Sequence, residues 1–232
     1  MLSIVIPTLN EEDGIVKTIR EIKKLDVEKE IIVVDGLSRD KTVENAKKHG
    51  ARLVVEKRRG KGIAMRTGVK KAKGDIICFL DGDGTYPPKY IPKMMELIDR
   101  CDVVVASRML LKQNSNDSLS NLFLYKLLPF VFKKYYKKFK TSEPTTGMRM
   151  IRKKDWESLK LRFNDFMVEM EMEVMMAKKS MSVIEIPIPC LKRTGGKSKF
   201  IGNWGILIRM RRFIIDNEQY LQNLNVISLE RV

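Results

Sequence analysis

The chain has 232 residues, with 45 Lys and Arg against 29 Asp and Glu, one His and a formal net charge of +16. That length buries a sizeable core and suits one large α/β domain spanning 1–232, while the charge implies an anionic partner such as a nucleotide, a nucleic acid or a phospholipid surface. Three widely spaced cysteines, Cys78, Cys101 and Cys190, exclude a disulfide framework and a zinc cluster and fit a reducing setting; a single histidine, His49, excludes a Ser-His-Asp triad and a multi-histidine metal site.

The first half alternates short β-branched runs with amphipathic stretches. Strands are predicted at 3–7, 30–35, 51–55, 75–80 and 102–106, with helices at 12–25, 41–49, 61–72 and 88–99, and His49 is expected at a solvated helix end. This βαβ order predicts a Rossmann-like, mostly parallel sheet flanked by helices, on which ligands gather beyond the carboxyl ends of the strands. Three polar turns fall there: Pro7-Thr8-Leu9-Asn10-Glu11, Asp35-Gly36-Leu37-Ser38-Arg39-Asp40 and Asp81-Gly82-Asp83. Asn10 and Asp40 either cap the following helices or serve a ligand, and Gly36 suits a tight turn; capping accounts for neither Asp35 nor the pair Asp81 and Asp83.

Beyond Arg108 the alternation breaks at the polar stretch 113–118. Residues 119–140 interleave leucines and aromatics with Lys126, Lys133, Lys134, Lys137, Lys138 and Lys140, which suits either a membrane-interface helix or a core helix with a solvated lysine face. A strand is predicted at 147–151, a helix at 165–179 whose methionines pack a core or an acceptor wall, a strand at 182–187, a basic loop at 192–199 and a second interfacial helix at 204–221. No apolar run approaches the roughly 20 residues that cross a bilayer, and the opening residues carry no charged leader, so a soluble or peripheral protein is expected.

Asp81 and Asp83 follow the apolar run 76–80, with Gly82 between them to permit an irregular turn that aims both carboxylates at one ligand. Hard oxygens at a strand end suit Mg²⁺ or Mn²⁺ bridging a diphosphate. The ordered series Pro7-Thr8-Leu9-Asn10-Glu11, Val33–Thr42, Gly60-Lys61-Gly62 and Leu80–Pro88 resembles the family 2 glycosyltransferases of GT-A fold. Thr145–Arg149, Glu169, Glu171, Glu185–Ile188 and Arg193–Lys199 narrow the resemblance to the dolichyl-phosphate mannose and glucose synthase branch, in an archaeal form.

The resemblance implies a nucleotide-sugar-binding half at 1–110 and an acceptor-binding, membrane-facing half at 111–232. Pro7, Leu9, Glu11, Gly36, Lys61, Gly82 and Thr85 would serve the nucleotide-sugar, Asp35 its base, and Asp81 and Asp83 the ribose, diphosphate and metal. The family often has Tyr where this chain has Leu9, and Thr85 stands where mannose synthases carry Gln, which is more similar to enzymes using a UDP donor. Arg108, Arg149, Arg193, Ser198 and Lys199 are the candidates for the acceptor phosphate, since guanidinium forks match phosphate oxygens; Asp83, Arg149, Arg193 and Lys199 would carry catalysis. Glu169 and Glu171 would be acceptor-site or base residues, or one of them would lie on a solvated face, and Gly60-Lys61-Gly62 either approaches the donor phosphates or starts a helix.

The implied reaction is inverting, metal-dependent transfer of a hexose or N-acetylhexosamine from UDP-glucose, UDP-GlcNAc or GDP-mannose to dolichyl or polyprenyl phosphate at the cytoplasmic membrane face, with a membrane-protein partner as one means of attachment. A phosphate acceptor, with its second pKa near ~6, is already a dianionic nucleophile at neutral pH and demands little from a general base. The rival within the family extends a glycan or a lipid-diphosphate sugar and needs a base such as Glu171; the rival outside it is a basic nucleic-acid-binding protein, for which no reader motif is present. Gly195-Gly196-Lys197-Ser198 is not a P-loop, because residue 191 is Leu where its first Gly belongs.

Overall fold

Period-two alternation along the strands sorts the core into two layers. Ile4, Ile6, Ile31, Val33, Cys78, Leu80, Val104, Ala106, Ile184 and Ile186 point into one apolar cluster, and Val5, Ile32, Val34, Ile77, Phe79, Val103, Val105 and Val183 into the other. Such strands, apolar on both faces, require cover on both sides. The computed structural model describes residues 1–111, 140–195 and 204–229 and supplies that cover with helices.

Among the described residues, β1 (Leu2–Thr8), β2 (Lys29–Asp35), β3 (Arg52–Val55), β4 (Ile76–Phe79), β5 (Val103–Ser107), β6 (Arg149–Arg152), β7 (Ser182–Pro187) and β8 (Asn225–Ser228) form one sheet in the order β3-β2-β1-β4-β6-β5-β7-β8. All neighbours are parallel except β6, which runs antiparallel to both β4 and β5. The mostly parallel sheet is as expected; the inversion of β6 carries the chain from residue 140 across the carboxyl ends before it enters the sheet.

The helices among the described residues are α1 (Glu12–Lys23), α2 (Thr42–Lys48), α3 (Lys61–Lys71), α4 (Ile91–Leu97), α5 (Lys153–Leu159), α6 (Met167–Lys178) and α7 (Trp204–Leu221). The helix predicted at 88–99 is α4 between two 3₁₀ turns, Pro88–Tyr90 and Ile98–Arg100. Helix α5 and strand β8 escape sequence reading. The first is seven residues long and shows just Trp156 and Leu159 as a buried stripe, with Trp156 tilted against Phe79 at 4.5 Å between ring centroids; the second is a four-residue edge strand with one partly buried position.

Helix α6 is buried on every side: Glu169, Glu171 and Glu173 are enclosed along with Met167, Met170, Met172 and Met176. Neither Glu169 nor Glu171 lies on a solvated face, and these methionines are core. Helix α7 packs Met210 and Ile214 inward, sets Phe213 edge-on to Phe163 at 5.2 Å, and leaves Ile208 and Ile215 exposed beside Arg209, Arg211 and Arg212. The expected interfacial segment at 119–140, Lys140 apart, and residues Lys197, Ser198 and Lys199 lie outside the described residues. Among the described residues no helix is long and apolar enough to cross a membrane.

Candidate active site

The carboxyl ends of β1 and β2 are tied together residue by residue. Thr8 pairs in register with Asp35, and the Gly36 amide donates to Thr8 O at 2.9 Å. Asp40 accepts from the amides of Thr42 at 3.0 Å and Glu12 at 3.2 Å, so it caps α2 and α1 at once; burial would raise its carboxyl, but the Thr42 hydroxyl and these amides outweigh that and hold it low. Asn10 is no cap. It stands in the left-handed region at φ 51°, and its side chain accepts from the Arg39 amide at 2.8 Å.

Asp35, expected to read a base, is buried and accepts from both the amide and the hydroxyl of Ser38. Its carboxylate braces the turn after β2. Pro7 and Leu9 are half-buried on the neighbouring turn, and the Glu11 amide donates to Thr42 Oγ1 at 2.8 Å.

After β4 the two aspartates diverge. Asp81 receives Lys61 Nζ at 2.7 Å, and the same ammonium reaches Glu169 Oε1 at 2.5 Å, so a cation at the start of α3 bridges two carboxylates from distant segments. Burial alone would depress the Lys61 pKa, but Asp81 and Glu169 outweigh it and raise it. Two carboxylates sharing one ammonium part company: burial pushes Glu169 up despite Lys61, whereas at Asp81 the burial penalty is outweighed by Lys61, with Arg108 and Arg193 adding to the effect. Gly60-Lys61-Gly62 therefore starts a helix and delivers Lys61 to Asp81. Gly60 adopts φ 140°, and a Cβ there would sit 2.1 Å from Asn164 O, so this backbone junction requires glycine.

Asp83 turns the other way. Its Oδ1 accepts from the Thr85 amide at 3.0 Å and hydroxyl at 2.7 Å, and its Oδ2 lies 2.6 Å from Arg193 Nη1. The other arm of that guanidinium binds Glu11 Oε1. The left-handed glycine of the motif is Gly84 at φ 76°, not Gly82, whose missing side chain instead admits Thr8 Cγ2 at 2.8 Å from where a Cβ would stand. The expected convergence of both carboxylates through a turn at Gly82 is thus corrected: Asp81 addresses Lys61 and Asp83 addresses Arg193.

The remaining predicted cations sit deeper. Arg149, a candidate for the acceptor phosphate, is 2% exposed, lies 2.9 Å from Glu173 and also reaches Pro144 O and Met172 Sδ, so its guanidinium is engaged in the interior. Arg108 grips Glu143 through its side chain, with Nε at 2.8 Å, and lies 4.4 Å above the Tyr86 ring, whose hydroxyl accepts from the Gly147 amide at 2.7 Å. Glu171, a candidate acceptor-site or base residue, accepts from the amides of Arg162 and Phe163 at 2.8–2.9 Å and anchors that loop.

Sequence reasoning missed Tyr86, Glu143, Glu173 and the site role of Glu185. Together they pin the segment entering β6: Thr141 Oγ1 donates to Glu173 at 2.8 Å, and the Ser142 amide and hydroxyl donate to Glu185 at 2.8 and 2.9 Å. Burial raises Glu185 and pushes Glu173 up to about 7 although Arg149 opposes it. The available signal was the Glu-x-Glu-x-Glu run within a helix of methionines, apolar all round, which marks a buried helix whose acids must find partners. A surface groove of about 860 Å³ between α1 and the 194–195 turn includes neither aspartate of the motif.

The family model described as "Glycosyl transferase family 2" matches residues 3–159. A dolichyl-phosphate hexose transferase of Haloferax volcanii is 30% identical over 199 residues, 84% of each chain. A dolichol-phosphate mannosyltransferase of Pyrococcus furiosus is 28% identical over 215 residues, and the match spans 87% of this chain but 59% of that longer protein. Among solved structures, glucosyl-3-phosphoglycerate synthase of Mycobacterium tuberculosis, in complex with Mn²⁺, UDP and glucosyl-3-phosphoglycerate, superimposes with a TM-score of 0.69 at 20% identity over 97% of this chain and 80% of that one, which establishes the common GT-A fold. From the paired strand ends, the two aspartates after β4 and a family match over most of its length, the chain belongs to glycosyl transferase family 2.

Proposed function

We propose that this glycosyltransferase moves a hexose or N-acetylhexosamine from a nucleotide-sugar, preferentially a UDP-sugar, to a polyprenyl phosphate such as dolichyl phosphate, at the cytoplasmic face of a membrane. The observation that carries the reading is Arg193 lying across Asp83 and Glu11 beyond the carboxyl end of β4, where hard oxygens and a guanidinium fork meet as a diphosphate requires. The relatives that act on dolichyl phosphate support the acceptor, and the Mn²⁺ and UDP of the solved neighbour support the donor.

The donor set fits a hard divalent cation. Asp83 offers carboxylate oxygens beyond the end of β4, and the described residues contain no group of three or more His, Cys, Asp or Glu that would enclose an ion. One or two carboxylates completed by phosphate oxygens and water is the coordination habit of Mg²⁺. Such an ion, when bound, supplies neutralisation of the charge on the departing diphosphate.

In the step itself an acceptor phosphate oxygen forms the bond to the anomeric carbon, the bond to the nucleoside diphosphate breaks, and its electron pair leaves with the diphosphate, inverting the anomeric centre. Arg193 holds the diphosphate end, and Lys61 keeps Asp81 ionised and oriented. The carboxylates around them are engaged: Glu169 with Lys61, Glu171 with the 162–163 amides, Glu143 with Arg108. That favours a phosphate acceptor, which needs no base, over a sugar hydroxyl, which does. The exposed Ile208 and Ile215 beside three arginines of α7 suit attachment to an anionic membrane surface.

The test incubates the protein with Mg²⁺ or Mn²⁺, a short polyprenyl phosphate, and UDP-glucose, UDP-GlcNAc or GDP-mannose in turn, and follows sugar into the lipid phase. Lipid-linked sugar from one donor is expected. Release of nucleotide with a glycan acceptor but none with the lipid phosphate would replace this reading by glycan extension.

A further inference from the structure

The two aspartates of the motif hold cations of different character. Lys61 belongs to the first turn of α3, its side chain is 10% exposed, and it is shared between the half-buried Asp81 and the buried Glu169. Arg193 is 25% exposed and stands on residues 188–195, a strap that leaves β7 and crosses the carboxyl edge. Backbone bonds hold the strap without help from that side chain: the Ile188 amide donates to Ser107 O, Leu191 to Thr85 O and Thr194 to Asp83 O, each at 3.0 Å. Lys17 Nζ adds 3.4 Å contacts to Gly84 O and Thr194 Oγ1. The guanidinium can therefore change partners while the strap stays in place.

We propose that Arg193 occupies the cation position on Asp83 while the donor is absent, so that the site takes its nucleotide as the divalent-metal complex and resists the bare ion. This deepens the donor reading given above and rests on it. Glu11, Asp83 and Arg193 together carry one negative charge. A divalent ion arriving alone would reverse that sign and leave a half-buried guanidinium facing a like charge without its acceptor on Asp83, an arrangement penalised by both repulsion and desolvation. A metal–diphosphate complex brings two negative charges with the ion, which restores the balance, and its phosphate oxygens give the guanidinium fork a bidentate partner as Asp83 is released. Lys61 undergoes no such exchange, because it is itself buried and would leave the buried Glu169 carboxylate as well as Asp81.

The experiment measures Mn²⁺ binding to the full chain by the loss of the free-ion electron paramagnetic resonance signal, with and without UDP or GDP, and needs no turnover. For the unaltered protein, the nucleotide is expected to tighten Mn²⁺ binding by about tenfold or more, and by linkage Mn²⁺ tightens the nucleotide equally. Arg193→Ala and Arg193→Gln are expected to bind Mn²⁺ alone about tenfold more tightly than the unaltered protein and to lose most of the coupling, with Arg193→Lys in between. Thermal unfolding of each variant reports whether the strap's backbone bonds keep the fold. Unchanged Mn²⁺ affinity in both neutral variants, with nucleotide still binding, overturns the inference alone; failure of either nucleotide to bind any of the proteins overturns the donor reading and this inference with it.

Discussion

Lys61 shows how one side chain ties stability to chemistry. It neutralises the half-buried Asp81 and the buried Glu169 at 2.7 and 2.5 Å, so its loss would leave both carboxylates without their cation, Glu169 in the interior. Lys61→Ala is expected to lower the unfolding free energy by about 3–5 kcal/mol in urea titrations, whereas Glu169→Gln, which keeps an acceptor for the ammonium, should change it by less than about 1 kcal/mol. Glu173 offers a test in pH. Its folded pKa of about 7 lies above the ordinary 4.5, so the folded state binds the extra proton between those values and stability falls as pH rises through that window. The slope for this one group is at most about 1.4 kcal/mol per pH unit. Urea midpoints at pH 5, 6 and 7 should decline more steeply in the unaltered protein than in Glu173→Gln; the raised carboxyls of Glu169 and Glu185 act in the same direction and leave the variant a residual slope.

At the scale of elements, the site depends on backbone junctions more than on helix propensity. Helix α3 begins where Gly60 meets the carbonyl of Asn164, and the Ile63 amide donates to that same oxygen at 3.2 Å. A β-carbon there cannot be accommodated without separating α3 from the 163–164 loop that Glu171 anchors. Gly60→Ala is expected to cost about 2–4 kcal/mol, combining a left-handed backbone penalty with the broken contact, and to displace Lys61 from Asp81, read as loss of nucleotide binding in titration calorimetry. The strands and most helices were legible, because the short apolar, β-branched runs of β1, β2, β4 and β5 and the 3.6-residue stripe of α1 are local patterns. Helix α6 shows where local pattern stops: the run marks a buried helix, but the partners of Glu169 and Glu173, Lys61 and Arg149, are distant in sequence and are not named by it.

At the scale of the molecule, a charge of +16 on 232 residues sets long-range behaviour. Sedimentation with vesicles containing anionic lipid is expected to retain the protein at low salt and release it progressively between roughly 50 and 300 mM, since each basic residue near such a surface contributes about 1 kcal/mol that salt screens; neutral vesicles should bind far less. Retention that is indifferent to lipid charge would instead assign attachment to the apolar positions of α7, Ile208 and Ile215. The antiparallel insertion of β6 between β4 and β5 is the fold's other large-scale decision, because it sets Gly147 against Asp81, where a Cβ on Gly147 would stand 2.2 Å from Asp81 Oδ2.

The sequence by itself determined the α/β class, the strand ends and the family, and named Asp81, Asp83, Lys61, Glu11 and Arg193 as candidate charged members of the site, because each is encoded in short-range periodicity or a compact motif. Tertiary structure alone decided which charge meets which. It separated Asp81 from Asp83, gave one to a buried lysine 20 residues away and the other to an arginine 110 residues away, withdrew Arg149 and Glu171 into supporting positions, and brought Tyr86 and Glu143 beneath Arg108. The physical reason is that a buried ionic group takes whatever partner the packed fold supplies, and that partner is chosen by the crossing of strands and loops remote in the chain.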